Sequence, residues 1–125
     1  MDAGAHTIHL SDTTGIGRPS QVRAMCEQAL AFVPAERFGL HMHDTYGRAV
    51  ANCIEALELG VMHFDASTGG CGGCPYAPGA SGNMASADLL RLLDDAGVPH
   101  GVHHETLGEA QTLLEKELGR ELKRS

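Results

Sequence analysis

The stretch His41-Met42-His43-Asp44 sets two imidazoles two residues apart. On an extended segment, residues i and i+2 face the same way, so both rings can reach one cation. Mixed imidazole and oxygen donors suit several divalent ions, so the spacing does not choose the metal. The same pair also reads as two polar side chains on a wet sheet face. Residues 69–83 read GGCGGCPYAPGASGN. Cys71 and Cys74 stand there as C-x-x-C, but no second pair of that spacing points to structural zinc. No thioredoxin-like context supports a redox couple either. A single reactive thiol, Cys74, on a mobile lid is the better functional reading, with Gly72 and Gly73 as the hinge that lets the loop close over substrate. Asn83 ends the loop. Its carbonyl oxygen can ligate a cation, but taken alone an Asn there reads first as the cap of the following helix. Asp12, in SDTTGIG, can serve as a base or bind substrate, or can close the turn ahead of Gly15 and Gly17.

These residues need elements that hold them. Apolar periodicity and turn signals predict strands over 5–12, 37–44 and 61–67 and helices over 17–33, 47–60, 85–97 and 105–123. Pro19 suits a first helical turn. Val22, Cys26, Ala29 and Val33 form an apolar stripe on the first helix, and Val50, Ile54 and Leu57 are assigned to one face of the second. Gly60 stops the second helix. Alternating strands and helices indicate a parallel sheet of crossover units, with its active site at the carboxyl ends of the strands. Each strand ends in polar residues, among them Asp12, His43, Asp65 and Ser67. His41 and His43 share a face against Leu40 and Met42; His63, Asp65 and Ser67 share one against Met62 and Phe64. An open doubly wound sheet is apolar on both faces. One polar face fits a closed barrel whose interior opens into a catalytic mouth. Tyr46 and Arg48 flank the histidine strand, within reach of substrate. Cys26 and Cys53 read as core thiols. His6, His9, His63, His100, His103 and His104 show no partner pattern and read as surface or capping residues.

Composition narrows the function classes. A length of 125 residues suits one domain, 1–125. A net charge of −7 opposes binding to nucleic acid or an anionic membrane surface. With aromatics at 4% and no tryptophan, a base-stacking platform is not expected. No apolar run approaches a membrane span. The N-terminus lacks the pattern of a signal peptide, and four cysteines without one lead to the expectation of reduced thiols in the cytoplasm.

The motifs SDTTGIG, HMHDTYGRAVAN and above all GGCGGCPYAPGASGN resemble the hydroxymethylglutaryl-CoA lyase family. That family belongs to a superfamily of metal-dependent lyases and Claisen synthases built on a TIM (β/α)8 barrel. Related synthases usually carry a G-E-R-x-G-N type loop in place of the cysteine loop. The resemblance implies cleavage of hydroxymethylglutaryl-CoA to acetyl-CoA and acetoacetate, a step of leucine degradation and ketone body formation. It implies a divalent cation, Mg2+ or Mn2+, on His41, His43 and Asn83. It implies Cys74 in proton transfer and Asp12 near the substrate hydroxyl, with Tyr46 and Ser67 as further substrate contacts. Cys71 replaces an aliphatic residue of the family, so a Cys71–Cys74 disulfide could silence the thiol.

The resemblance covers only the family's C-terminal half, from about the fifth strand onward. The first-strand Asp-Arg-Glu motif, which supplies another metal ligand and an arginine, does not occur here. A TIM barrel takes about 250 residues. Three expectations follow: part of a lyase that is inactive alone, a half-barrel that pairs with a missing N-terminal half or with itself, and a non-catalytic half-barrel metal-binding module. Another superfamily member, an aldolase or a Claisen-type acyl-CoA synthase, is the enzymatic alternative.

Overall fold

The computed structural model describes residues 3–73 and 82–123. Cys74, and with it any Cys71–Cys74 pairing, lies outside them. Three parallel strands, β1 (Ile8–Asp12), β2 (Phe38–Met42) and β3 (His63–Asp65), form a sheet in that order. Helices α1 (Pro19–Leu30) and α2 (Ala49–Glu58) make the crossovers, and α3 (Ser86–Asp95) and α4 (His104–Leu118) follow. No helix among the described residues is long and apolar enough to cross a membrane.

The predicted alternation organises the sheet. Phe38, Leu40 and Met42 of β2 are buried against Val22 and Cys26 of α1, Cys53 and Ala56 of α2, and Leu89, Leu92 and Leu93 of α3. Burying each large side chain contributes about 1.5–3 kcal/mol, so the central strand anchors the core. The register pairs Ser11 with His41 and His41 with Asp65, which places all three on the other face.

Several boundaries differ from expectation. α1 stops at Leu30, and a turn carries the chain to Pro34. Proline pushes its predecessor out of the helical region, so the last turn is lost. On α2 the buried residues are Ala49, Asn52, Cys53 and Ala56, whereas Ile54 is exposed. Small side chains let α2 lie close, wedged between α1 and α3, and the bulkier Val50 and Leu57 are left at the rim. β3 is only three residues long, so Met62 falls outside the strand and is exposed. α4 ends at Leu118 with Gly119 in the left-handed region at φ 64°. The tail then folds back: Leu122 is buried, and its amide donates to Glu115 Oε1 at 3.0 Å.

Candidate functional site

His43 follows β2 directly, and its backbone forms an antiparallel bridge with Asn83. The chain returning from the glycine loop is sewn between the ends of β2 and β3. Asp44 N–H donates to Gly82 O at 3.0 Å, Met84 N–H to Met42 O at 3.0 Å, and Ser67 N–H to Met84 O at 3.0 Å. The loop's outgoing limb closes the stem, with Asn83 N–H donating to Gly72 O at 3.1 Å and Asn83 Nδ2 to Cys71 O at 2.8 Å. Asn83 is therefore held beside His43. It does not cap α3, whose N-cap is Ala85. Gly82 is required here: at φ +101° a Cβ would overlap Gly72 O and lie 2.5 Å from Gly70 O. Gly72 is thus a tethered point of the stem, and a hinge would have to act beyond it, at Gly73.

The His41 and His43 rings stand edge to face, 5.3 Å between centroids. His43 is buried, and its Nδ1 has no hydrogen-bond partner. Burial first, then the neighbouring His41, holds its imidazolium below the ordinary value, with Asp12 opposing. A neutral buried imidazole with an orphaned nitrogen is the state a cation ligand requires. With the nearby imidazole of His41 and the oxygen of Asn83, the donor set fits a divalent ion.

Asp12 sits at the end of β1. Its Oδ1 accepts from Gly15 N–H at 3.0 Å and its Oδ2 from Gly17 N–H at 2.8 Å. Its carboxylate thus closes the SDTTGIG turn, and a Cβ at Gly17 would lie 2.8 Å from Oδ2. Tyr46 is exposed, with the Arg48 guanidinium 5.6 Å from its ring centroid. Both line an open cleft of about 670 Å3 beside β1, together with Asp12, Ser11, Met25 and Met42. Ser67 takes part through its backbone, accepting from Ser86 N–H at 2.9 Å and bridging to Ala85. Cys71 is a free thiol.

Some functional placements were not anticipated. His9 and His63 have partners after all. His9 Nδ1 lies 2.8 Å from Asp65 Oδ2, and the same oxygen is 3.7 Å from His41 Nδ1. His63 Nε2 meets Glu36 O at 2.9 Å. Gly39, between His9 and His63 in register, leaves room for both rings. Asp44 accepts from Ala49 N–H at 3.0 Å, fastening the start of α2, and pairs with Lys123 Nζ at 2.7 Å. Asp44 bonds five residues ahead, outside the spacing of an N-cap, and Lys123 lies 79 residues away, so neither contact had a signal in the sequence.

A protein-family model described as HMGL-like matches residues 1–114. A hydroxymethylglutaryl-CoA lyase of Bacillus subtilis is 43% identical over 122 residues, 98% of this chain and 41% of the relative. An (R)-citramalyl-CoA lyase of Chloroflexus aurantiacus is 44% identical over 98% of this chain and 38% of its own length. A crystal structure of a Bacillus subtilis HMG-CoA lyase superposes with a TM-score of 0.93 over 98% of this chain and 41% of that one, at 41% identity. An Acinetobacter baumannii HMG-CoA lyase in complex with coenzyme A and 3-methylmalate gives 0.91 at 37% identity, over 99% of this chain and 41% of that one. The chain therefore spans about two-fifths of the length of these relatives, and its three parallel strands are part of a TIM barrel.

Proposed function

The chain belongs to the HMGL-like family, and from that premise we propose that it is the loop- and ligand-bearing part of a carbon–carbon lyase that cleaves hydroxymethylglutaryl-CoA to acetyl-CoA and acetoacetate. The observation that carries this is the buried, neutral His43 with its orphaned nitrogen, bridged to Asn83. The family is metal-dependent. A divalent ion, Mg2+ or Mn2+, on His41, His43 and Asn83 would polarise the substrate's tertiary hydroxyl and lower its pKa. The chain's own residues supply the rest. Asp12, steadied by two backbone amides, receives or relays the hydroxyl proton. Cys74 delivers a proton to the acetyl carbon, and the glycine loop keeps water from that carbon. Tyr46 and Ser67 line the approach of the acyl group.

Part of the barrel is supplied from outside these residues. Among the described residues β1 is an edge strand, and Ile8 on it, Ile16 in the loop after it and Met25 on α1 are exposed. An unpaired parallel edge beside an apolar cleft is a surface for the barrel's N-terminal portion, and self-pairing is the alternative. The free, buried thiols of Cys26 and Cys53 support a reducing, cytoplasmic setting, which cell fractionation tests.

The assay is release of acetoacetate and acetyl-CoA by this chain co-expressed with the N-terminal portion of a relative. Turnover is expected in the complex, absent from the chain alone, and lost in His43→Ala and Cys74→Ser. A complex that forms and binds Mn2+ but cleaves no acyl-CoA would refute the lyase reading. The relative named as an (R)-citramalyl-CoA lyase favours a second reading, in which that thioester is the substrate. The ratio of kcat/KM for the two thioesters decides between them.

A further inference from the structure

Three side chains at the junction of α3 and α4 converge without serving the reaction site. Asp94 lies in the last turn of α3, His100 in the connecting loop, and His104 opens α4. His100 Nε2 is 2.9 Å from Asp94 Oδ1, and His104 Nε2 is 2.6 Å from Asp94 Oδ2. One nitrogen from each ring and a carboxylate oxygen all lie within 4.8 Å of one another. The rings stand edge to face, 6.1 Å between centroids. Among the described residues this is the one group of three histidine, cysteine or acidic ligand atoms so gathered. Its spacing is D-x5-H-x3-H.

We propose that Asp94, His100 and His104 form a binding site for a borderline divalent cation of the zinc type, separate from the His41–His43–Asn83 set, and that the cation staples the end of α3 to the start of α4. The donor set is two imidazoles and one carboxylate, the combination that zinc takes with water in the fourth position. Mg2+ prefers all-oxygen shells and suits this set poorly. With metal–ligand bonds of about 2.0–2.1 Å, tetrahedral ligand atoms stand about 3.3 Å apart. The present contacts need to open by only about half an ångström, and Asp94 and His104 are exposed and free to yield. Hydrogen bonds from the two histidines keep the Asp94 carboxyl below its ordinary value, so it is ionised at neutral pH. The proton inventory also closes. Val102 N–H donates to His100 Nδ1 at 3.1 Å, so His100 carries its proton on Nε2, facing Asp94. Binding moves that proton to Nδ1 and releases the Val102 amide, which water takes up because Val102 is exposed. His104 carries its proton toward Asp94 in the same way and shifts it to Nδ1 when the metal arrives. No oxidation or reduction is involved.

The test is ring 15N NMR of the metal-free chain titrated with Zn2+, in the parent and in a His43→Gln background that removes one alternative ligand. The expected result is that His100 and His104 convert from Nε2-protonated to Nε2-bound, Nδ1-protonated rings in both backgrounds, while Mg2+ leaves them unchanged. Asp94→Asn and His104→Gln should each weaken Zn2+ binding at these resonances at least tenfold while far-UV circular dichroism stays at the parent's. Zn2+ should also raise Tm in the parent and not in the two variants, as a ligand specific to the folded state must. Saturating Zn2+ that shifts only His41 and His43, or an Asp94→Asn variant that binds as the parent does, overturns the proposal.

Discussion

Gly82→Ala tests how the candidate ligands are brought together. Two costs arise at this position. The backbone is at φ +101°, a conformation disfavoured for an L side chain, and the methyl would overlap Gly72 O while lying 2.5 Å from Gly70 O. Both obstacles are backbone, so neither moves aside cheaply. The returning strand must shift, and with it go the bonds Asp44 N–Gly82 O, Asn83 N–Gly72 O and Asn83 Nδ2–Cys71 O. At about 1 kcal/mol each, their loss costs about 3 kcal/mol, and the strained φ alone accounts for about 1–3 kcal/mol if the bonds survive. The reading on denaturation is a fall in Tm of roughly 12 °C or more. Gly47→Ala is the control, since φ there is +66° but nothing lies within 4 Å of the added Cβ. That variant should lose only about 1 kcal/mol. Isothermal titration with Mn2+ gives the functional half. With Asn83 displaced from His43, Gly82→Ala should bind at least about tenfold more weakly, the effect of 1.4 kcal/mol, while Gly47→Ala binds as the parent does. Equal destabilisation by the two substitutions, or unchanged Mn2+ affinity in Gly82→Ala, would refute the stitched-stem argument.

Lys123→Met removes pairs to Asp44 at 2.7 Å and Asp88 at 2.9 Å, both half open to solvent on the lysine side, so the loss should be about 1 kcal/mol and shrink in high salt. The hydrogen bond to Asp44 chiefly raises the Lys123 amine above its ordinary 10.5, so this contribution is complete below that pH and disappears as pH rises through the raised value, which urea titrations at pH 8 and 11.5 will read. Burial pushes the Cys53 thiol up to about 12 and Cys26 in the same direction, so an alkylating reagent at pH 8 should modify neither until urea unfolds the chain, as peptide mapping will show. Gly39→Ala sets a Cβ 2.7 Å from His9 Nε2 and 2.9 Å from His63 Cβ; it should cost about 1–3 kcal/mol and move the His9 ring resonance off its Asp65-bonded position.

The polar face of the sheet was legible because alternation is a strong signal: Leu40 and Met42 go to the core, and His41 faces Asp65. The apolar face of α2 was not, because hydrophobicity ranks Val50 and Ile54 above Ala49 and Ala56, whereas a helix wedged between two others buries its small residues. Asn83 was legible as a ligand type, but its placement depends on backbone bridges across the loop stem, which leave no periodic trace. His9, which showed no partner pattern in the sequence, found its partner across the sheet in Asp65, 56 residues away. Local pattern carries no information at that range.

The position of the proposed ligands bears on what this chain can do without the rest of a barrel. His43 and Asn83 are fixed by bonds among the ends of all three strands and the loop stem, with His43 N–H donating to Asp12 O at 3.3 Å from the paired side of β1, and none of these bonds uses the open edge of β1. Their arrangement does not depend on a strand beside β1. Asp12 and the cleft with Tyr46 and Arg48 do border that edge, and their substrate-facing side is completed only by what packs there. Metal affinity and turnover should therefore separate. The chain alone should bind Mn2+ through His41, His43 and Asn83 and should turn over no substrate. Adding the N-terminal portion should raise the metal affinity modestly and the rate from nothing, because an intact ligand set without the substrate-positioning wall gives binding without the near-attack geometry that the reaction needs. A chain that binds no Mn2+ until the N-terminal portion is added would mean instead that the ligand geometry is imposed across β1, and the stem would lose its role as the organiser of the site.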